Sequence, residues 1–413
     1  MAVGDVIVGI DVEASRVSCC LGQINKFNQV EVIDSAISEC DGFNQDKYES
    51  TDAIARAIRF AIGDIEQAHN FIIKSAYINI IGKFVNIYNT RYGVELEDKY
   101  AGVSQKNIDD IIIGVSEIKF PENDQIIDII PTRFITDTKV TDDPIGIFTK
   151  TLSADLDIIT ADKSVVKQIS SIMQKVGLEI DGIILDGFAM RNLVIDEDEE
   201  RSGVLLLDVG KNNIDISVFK NNSILYTDSL PIGGNTITED ISTAFSISTD
   251  EAEKLKKQYG LADSEYIDHD YNIKLTTYSG EDDYLETIQC SDLVSIIEAR
   301  MVEIFGIIRK SIKANELYDD VRLCVITGQG FSNINKVDVL ANKQLNIDVR
   351  FGNAKVANLV KQDCIKSFGL VKYVANAVHK KNIGSSIEVE EEQSFFKTAR
   401  KGFKRAFKHA FKK

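Results

Sequence analysis

The sequence predicts an α/β protein with two related domains, on three observations. Two apolar runs, beginning at Val6 and Val204, each end in an aspartate and continue into a second β-rich run, which is typical of a hairpin with an acidic turn. Helical apolar spacing at 51–68 and 163–176 indicates helices that flank the sheets. At 413 residues, the chain also exceeds the roughly 250–300 residues that one hydrophobic core usually serves.

Residues 82–160 show a different pattern, in which strand-like segments surround a helical segment at 107–120. This predicts a small α+β subdomain inserted into the first domain. Three more elements are expected in the second half: an amphipathic helix at 250–260 with a Thr249/Asp250 cap and Gly260 at its end, a longer helix at 293–312, and a buried strand within 321–334 that runs into a glycine turn.

The predicted organisation ends in an acidic linker without periodicity and a basic amphipathic tail. The predicted boundaries are 1–81 and 161–203 for the first domain, 82–160 for the inserted subdomain, 204–232 and 321–379 for the core of the second domain, 233–320 for its small subdomain, 380–393 for the linker, and 394–413 for the C-terminal amphipathic helix.

Charge is divided unevenly along the chain. The formal net charge is −17, but residues 394–413 hold eight Lys or Arg and no acidic residue, so the remainder carries 39 basic against 64 acidic side chains, a formal −25. An acidic body argues against nucleic acid as its main partner, because phosphate binding needs a basic face. The basic tail is therefore expected to have a binding role of its own.

The cysteines and the N-terminal residues are typical of a reduced cytosolic protein. The six cysteines include no CxxC pair and the four histidines lie far apart, so neither a zinc site nor a disulfide framework is indicated. Burial as small apolar residues is the expected role of these cysteines. No signal peptide is expected, and no segment reaches the ~18 apolar residues that cross a bilayer.

The tail is predicted to lie on a membrane surface as a helix. At ~100° per residue, its phenylalanines share one face and its cations the other, and Ser394 can cap its start. The membrane-binding residues are expected to be Phe395, Phe396, Phe403, Phe407, Phe411, Lys397, Lys401, Lys404, Arg405 and Lys408. Docking of this helix on the acidic body and a calmodulin-type target helix are the alternatives.

Two Asp-turn hairpins and a late T-G-x-G turn resemble the nucleotide fold of sugar kinases, chaperones and actin. Within that superfamily, the chain resembles the FtsA family of bacterial cell division. The most specific match is LPIGGNTITEDISTAFSISTDEAEKLKKQYGLA at 230–262, which is similar to the family's I-P-I-G-G-N-x-I-T-x-D-I segment and the E-A-E-x-L-K helix after it. YINIIGKF, IPTRFITD and DDPIGIF in the inserted subdomain match too, as does IIEARMVEIF near Glu298.

The resemblance implies an actin-like two-domain ATPase fold that binds ATP and Mg²⁺, with Asp11 and Asp208 as the metal-binding carboxylates. The implied nucleotide-binding residues are Asp11, Ser15, Arg16, Asp208, Gly210, Lys211, Asn213, Gly233, Gly234, Asn235, Glu253, Lys256, Gly328 and Gly330. Each has a structural alternative: the aspartates end strands, the glycines form turns, and Glu253 with Lys256 is a solvated pair one helical turn apart.

Both implied phosphate-binding turns depart from the family pattern. The family's first turn is D-I-G-T-x-K, but this chain has D-V-E-A-S-R at 11–16, so Glu13 replaces the glycine. Its second turn is D-I-G-G-G-T-x-D, but this chain has D-V-G-K-N-N-I-D at 208–215. Because a cradle of backbone amides needs positions without Cβ, we expect weak or slow ATP binding and very little hydrolysis, with partial compensation by Lys211 and Arg16.

The resemblance also implies a scaffold at the division site on the inner face of the cytoplasmic membrane. Its implied partners are the C-terminal peptide of the tubulin-like protein FtsZ, further copies of the chain through the inserted subdomain, anionic lipids and other division proteins. The FtsZ peptide is expected at Arg300, Arg309, Lys310 and Lys313, a basic set that suits acidic residues; a solvated helix face is the alternative. A hydrolytic ATPase and an actin-like protein of type IV pilus assembly are the alternative functions.

Overall fold

Strands and helices run through most of the chain in the computed structural model, which describes residues 6–25, 29–44, 47–96, 101–275, 287–354 and 361–383. The strands are β1 (Val6–Val12), β2 (Arg16–Ile24), β3 (Val30–Glu39), β4 (Phe43–Asn44), β5 (Lys47–Tyr48), β6 (Ser75–Ile80), β7 (Val85–Glu95), β8 (Asp124–Thr136), β9 (Val140–Thr141), β10 (Thr151–Asp162), β11 (Glu179–Leu185), β12 (Val204–Val209), β13 (Ile214–Lys220), β14 (Ser223–Leu230), β15 (Asn272–Lys274), β16 (Thr287–Gln289), β17 (Leu323–Thr327) and β18 (Asp348–Phe351). The helices are α1 (Thr51–His69), α2 (Gln105–Ser116), α3 (Lys163–Val176), α4 (Asp186–Val194), α5 (Glu197–Ser202), α6 (Gly234–Phe245), α7 (Thr249–Tyr259), α8 (Cys290–Ala314), α9 (Val337–Leu345) and α10 (Ile365–Ile383).

The described residues form two units by their contacts. Unit 1 comprises those within 1–193, 222–228 and 354–413, and unit 2 those within 194–221 and 229–353. The main sheet of unit 1 has the strand order β11-β6-β1-β2-β3, in which β1, β2 and β3 are antiparallel and β6 is parallel to both β1 and β11. Helix α1 packs on β2 and β3 and against α3, so helices flank the sheet as predicted.

Helix α10 belongs to unit 1, whereas the sequence had placed residues up to 379 in the second domain. It packs on β1 and β2, where Gly9 and Gly22 leave room for it. A Cβ on Gly9 would lie 2.5 Å from the carbonyl oxygen of Ser367, and one on Gly22 would lie 2.5 Å from Cγ1 of Val371. The helix also continues to Ile383, four residues into the predicted linker; residues 384–393 lie outside the described part.

The inserted subdomain is the small α+β unit that the sequence predicts. Its antiparallel sheet has the order β7-β10-β8-β9, and α2 packs against β7 and β10. Ile111 and Val115 of α2 are fully buried against Leu152 and Leu156 of β10, because apolar residues recur every three to four positions on the helix and every second position on the strand.

Asp157 of β10 ties the inserted subdomain to the start of β14. Its carboxylate accepts hydrogen bonds from Asn89 Nδ2 at 2.7 Å, from Ser223 Oγ at 2.7 Å and from the backbone N–H of Ile224 at 2.8 Å. Burial raises the pKa of Asp157, while the three donors favour its charged form. A buried carboxylate with this many donors fixes the position of the segments that supply them.

Unit 2 is built on the second hairpin. Its strands have the order β13-β12-β17-β18, with β12 antiparallel to β13 and parallel to β17. Helices α7 and α8 both pack against α6, and α8 runs from three residues before the predicted start to two after the predicted end. Ser248, rather than Thr249 or Asp250, caps α7, because its backbone is extended and its hydroxyl accepts from the N–H of Glu251.

The cysteines take the structural role that the sequence predicts. All six are buried and none is in a disulfide. Burial raises the pKa of Cys20 and of Cys324, so both thiols stay protonated at neutral pH. Within the described residues, no cluster of three or more His, Cys, Asp or Glu could hold a metal ion.

Candidate functional site

The two hairpins have the same register, which defines equivalent positions in their turns. Asp11 pairs with Ser18 across β1 and β2, and Asp208 pairs with Asp215 across β12 and β13. The turn of each hairpin is closed by one backbone hydrogen bond, from Glu13 N to Arg16 O at 2.9 Å and from Gly210 N to Asn213 O at 2.8 Å. Glu13 and Gly210 are therefore equivalent, so one hairpin has a carboxylate where the other has a glycine.

Asp11 is held in place by Asn79, a residue that the sequence analysis missed. Its carboxylate is only 1% exposed and accepts hydrogen bonds from Asn79 Nδ2 at 2.9 Å and from Ser18 Oγ at 3.4 Å. The Asn79 side chain also accepts from the backbone N–H of Val12 at 2.8 Å. An asparagine between Ile78 and Ile80 of β6 was the available signal, but its partner Asp11 lies 68 residues away in the chain.

The first turn contains a network of ion pairs. Arg16 pairs with Glu13 at 2.8 Å and also contacts Asp363. Lys366 of α10 approaches Glu13 at 3.5 Å and Asp186 at 3.9 Å. Burial lowers the pKa of Arg16, but Glu13, Asp363 and Asp11 outweigh that effect and its pKa is raised. Arg16, expected to compensate for lost phosphate donors, is thus occupied by carboxylates of the chain itself.

The second turn packs against two other glycine segments, backbone to backbone. The N–H of Gly234 donates to Gly210 O at 3.1 Å, the N–H of Asn235 to Lys211 O at 2.7 Å, and the N–H of Gly330 to Val209 O at 2.8 Å. A Cβ on Gly234 would lie 2.7 Å from Gly330 O. Unit 2 therefore brings 208–213, Gly233 to Asn235 and the Gly328 to Gly330 turn together, and these close contacts are a structural reason for the glycines.

Lys256 and Glu253 of α7 are not the solvated pair that was the alternative at these positions. Lys256 is 4% exposed, and its Nζ pairs with Glu253 at 2.6 Å and donates to Gly234 O at 2.8 Å. Thr238 of α6 also hydrogen bonds with both side chains. Burial lowers the pKa of Lys256, against the opposing effect of Glu253. The buried cation thus fixes α7 to the start of α6.

The remaining predicted nucleotide-binding residues differ in exposure. Ser15 and Lys211 are exposed. Asp208 is buried at the end of β12, and Asn213 Nδ2 donates to Asp215 at 3.0 Å. The two halves therefore differ in their fit to a nucleotide: unit 2 offers an exposed lysine beside close-packed glycines, whereas the first turn presents a carboxylate and does not fit a phosphate.

The four predicted peptide-binding cations of α8 divide into two pairs. Arg300 pairs with Asp240 through two contacts of 2.5 and 2.8 Å, and Arg309 donates to Gln344 O at 3.1 Å. These two arginines are engaged within unit 2. Lys310 and Lys313 are exposed, and Nζ of Lys313 lies 4.7 Å from the centre of the Tyr318 ring. The accessible positive charge is therefore at the C-terminal end of α8.

Two protein families match this chain, one in its second half and one in the inserted subdomain. The family described as "Cell division protein FtsA" matches residues 205–375, and the family described as "SHS2 domain inserted in FTSA" matches residues 82–160. The chain belongs to the FtsA family. Curated FtsA proteins resemble it along most of their length: that of Buchnera aphidicola from Acyrthosiphon pisum is 25% identical over 98% of both chains, and that of Neisseria meningitidis serogroup B is 28% identical over 83% of this chain and 82% of its own.

Solved structures confirm the actin-like fold of this FtsA-family chain. The type IV pilus biogenesis complex PilM-PilN aligns with a TM-score of 0.53 at 15% identity, covering 92% of this chain and 98% of the other. MreB5 of Spiroplasma citri bound to ADP aligns with a TM-score of 0.50 at 11% identity, covering 93% and 99%. At such identities the likeness concerns the fold alone, so the pilus alternative gains no functional support, whereas the sequence relatives are division proteins.

Proposed function

We propose that this FtsA-family chain is a division scaffold that polymerises, binds FtsZ and tethers it to the inner face of the cytoplasmic membrane at the division site. The observation that carries the proposal is the match of both the FtsA family and its inserted subdomain, in the expected order, on an actin-like fold. The basic tail supports the tethering role through its pattern of phenylalanines and lysines. The predicted membrane-binding residues of this tail lie outside the described part of the chain.

The basic tail is the proposed site of membrane attachment. None of the helices in the described ranges is both long enough and apolar enough to span a bilayer. Surface attachment of single subunits is reversible, but subunits joined in a filament gain avidity because their anchors act together. The proposal therefore couples polymerisation to firm tethering, with the inserted subdomain as the proposed contact between neighbouring subunits.

ATP and Mg²⁺ have at most a weakened role in this proposal. Asp208, Lys211 and the glycine turns of unit 2 would be the residues that hold them, whereas the first turn opposes phosphate through Glu13. Phosphoryl transfer depends on positioning and on neutralisation of developing charge, so the loss of amide donors and the gain of a carboxylate both slow it.

Reconstitution tests the scaffold directly. Purified full-length chain is expected to recruit fluorescent FtsZ filaments to liposomes with anionic lipids, while ATP turnover stays well below about 1 s⁻¹, a typical lower value for enzymes. Filament recruitment is measured by microscopy and turnover by phosphate release in the same mixture. Turnover of several per second would favour the ATPase alternative, and absence of recruitment in the presence of FtsZ would contradict the tethering role.

The FtsZ peptide is expected to bind at the exposed end of α8. Lys310→Glu with Lys313→Glu should weaken binding of a synthetic FtsZ C-terminal peptide about tenfold, because reversed charge repels acidic residues at an interface. Fluorescence anisotropy measures the affinity. Lys106→Glu, which makes on exposed α2 of unit 1 the reversal that each of the two substitutions makes on α8, is the control and should leave the affinity unchanged. Equal affinity for all three proteins would place the peptide elsewhere.

A further inference from the structure

We propose that the carboxylate of Glu13 occupies the first turn and, by its negative charge, excludes nucleotide phosphates from it. This inference deepens the proposed function and rests on its weak ATP binding, for which it names the responsible group. The first turn of unit 1 would then make no contact with nucleotide phosphates. Three observations lead to it: the position of Glu13, the cations around it and the charge balance of its surroundings.

The position of Glu13 follows from the internal equivalence of the two hairpins. Both turns are closed by the same backbone hydrogen bond, and Glu13 stands where the other hairpin has Gly210. Gly210 places no side chain at this position of its turn. At Glu13 the side chain brings a negative charge to the turn. The two turns therefore share their backbone hydrogen bond, but only the first presents a carboxylate to a phosphate.

Glu13 is bound by cations from two separate parts of unit 1. One carboxylate oxygen lies 2.8 Å from Arg16 and the other lies 3.5 Å from Lys366. The side chains are partly buried, with exposures of 24% for Glu13, 21% for Arg16 and 14% for Lys366. Partial burial strengthens such pairs relative to surface ones, because solvent screens them less. Any phosphate reaching these cations must displace a carboxylate that is already paired.

Among the described side chains that form the ion pairs at this turn, carboxylates outnumber cations. Two cations, Arg16 and Lys366, face the four carboxylates of Asp11, Glu13, Asp186 and Asp363. The cluster therefore has a formal net charge of −2 when all six groups are ionised. A polyphosphate approaching this turn meets net repulsion, and the positive charges are already divided among the carboxylates.

The same network fixes α10. Lys366 lies in the first turn of α10 and Asp363 lies just before it, so the ion pairs join the hairpin to the start of this helix. Ser18 and Ser367 add a hydroxyl hydrogen bond of 3.0 Å at the same junction. Glu13 thus supplies, from within the chain, a carboxylate that contacts both Arg16 and Lys366.

Two substitutions at Glu13 test the proposal in the full-length protein. Binding of a fluorescent N-methylanthraniloyl ATP with Mg²⁺ is measured by anisotropy, and the melting temperature is measured with and without MgATP. Glu13→Gly is expected to bind at least tenfold more tightly than the unchanged chain, with Glu13→Gln in between because it removes the charge and keeps the volume. Without nucleotide both variants should melt at a lower temperature, since Arg16 and Lys366 each lose one of their carboxylate partners.

Glu95→Gln, on the exposed face of the inserted subdomain, is the matched control and should behave as the unchanged chain. The proposal is overturned if the unchanged chain binds the probe as tightly as Glu13→Gly, or if neither variant gains affinity while circular dichroism shows a folded protein. If Glu13→Gly fails to fold, Glu13→Gln alone decides between gain and no gain. FtsZ recruitment by the unchanged chain without nucleotide is measured in parallel, so failure of the scaffold function is seen separately from failure of this proposal.

Discussion

A chain that ends at residue 393 is expected to lose liposome binding altogether. Each phenylalanine of the tail that inserts partly into the bilayer contributes on the order of 1–2 kcal/mol, and each cation near an anionic leaflet up to about 1 kcal/mol before screening. Truncation after residue 393 removes all these contributions to the free energy of membrane binding at once. Sedimentation with liposomes that contain anionic lipid measures the bound fraction, which for the full-length chain should also fall as salt is added.

Single substitutions separate insertion from simple charge attraction. Phe403→Glu or Phe407→Glu is expected to reduce binding severely, because either places a carboxylate on the apolar face of the predicted helix. Phe60→Glu on α1 is the matched control: this phenylalanine is 69% exposed on the body, and its replacement should leave sedimentation unchanged. If the truncated chain sediments as well as the full-length chain, the tail is not the anchor.

Local patterns were sufficient to predict many of the elements. Helix α3 occupies the predicted residues 163–176, because Asp162 caps its start and Gly177, in the left-handed region at φ 88°, ends it. The inserted subdomain was recognisable because strand-like segments with turn residues surround a helical segment at 107–120, an arrangement that differs from that on either side. Hairpins with acidic turns were equally visible, since each is a short and continuous stretch of sequence.

Contacts between distant parts of the chain could not be predicted in this way. Glu13 meets Lys366 across more than three hundred residues, and neither residue carries a local signal for the other. Lys256 was expected to bind nucleotide or, as the alternative, to form a solvated pair with Glu253, but tertiary packing buries it against α6. Departures from the family pattern did identify the first turn as unusual, whereas the partners of Glu13 required the fold.

Gly9→Ala is expected to lower the free energy of unfolding of unit 1 by roughly 2 kcal/mol, within the usual range for overpacking. The added Cβ would lie 2.5 Å from the backbone carbonyl oxygen of Ser367 and 3.1 Å from Cβ of Leu370, so α10 must move away from β1. Urea unfolding measures the global effect. Hydrogen exchange with mass spectrometry measures the local one, and amides of α10 should exchange faster than in the unchanged chain.

Gly63→Ala adds the same atom to helix α1 of the same unit, where a Cβ would have no neighbour within 4 Å. Alanine is a better helix former than glycine, so this control should raise stability by up to about 1 kcal/mol. The two alanine variants are therefore expected to change stability in opposite directions. Equal stabilities, with unchanged exchange in α10, would mean that the helix does not depend on close contact with β1. The opposite signs would instead show that glycine at position 9 is required by the packing of a helix that lies more than 350 residues further along the chain.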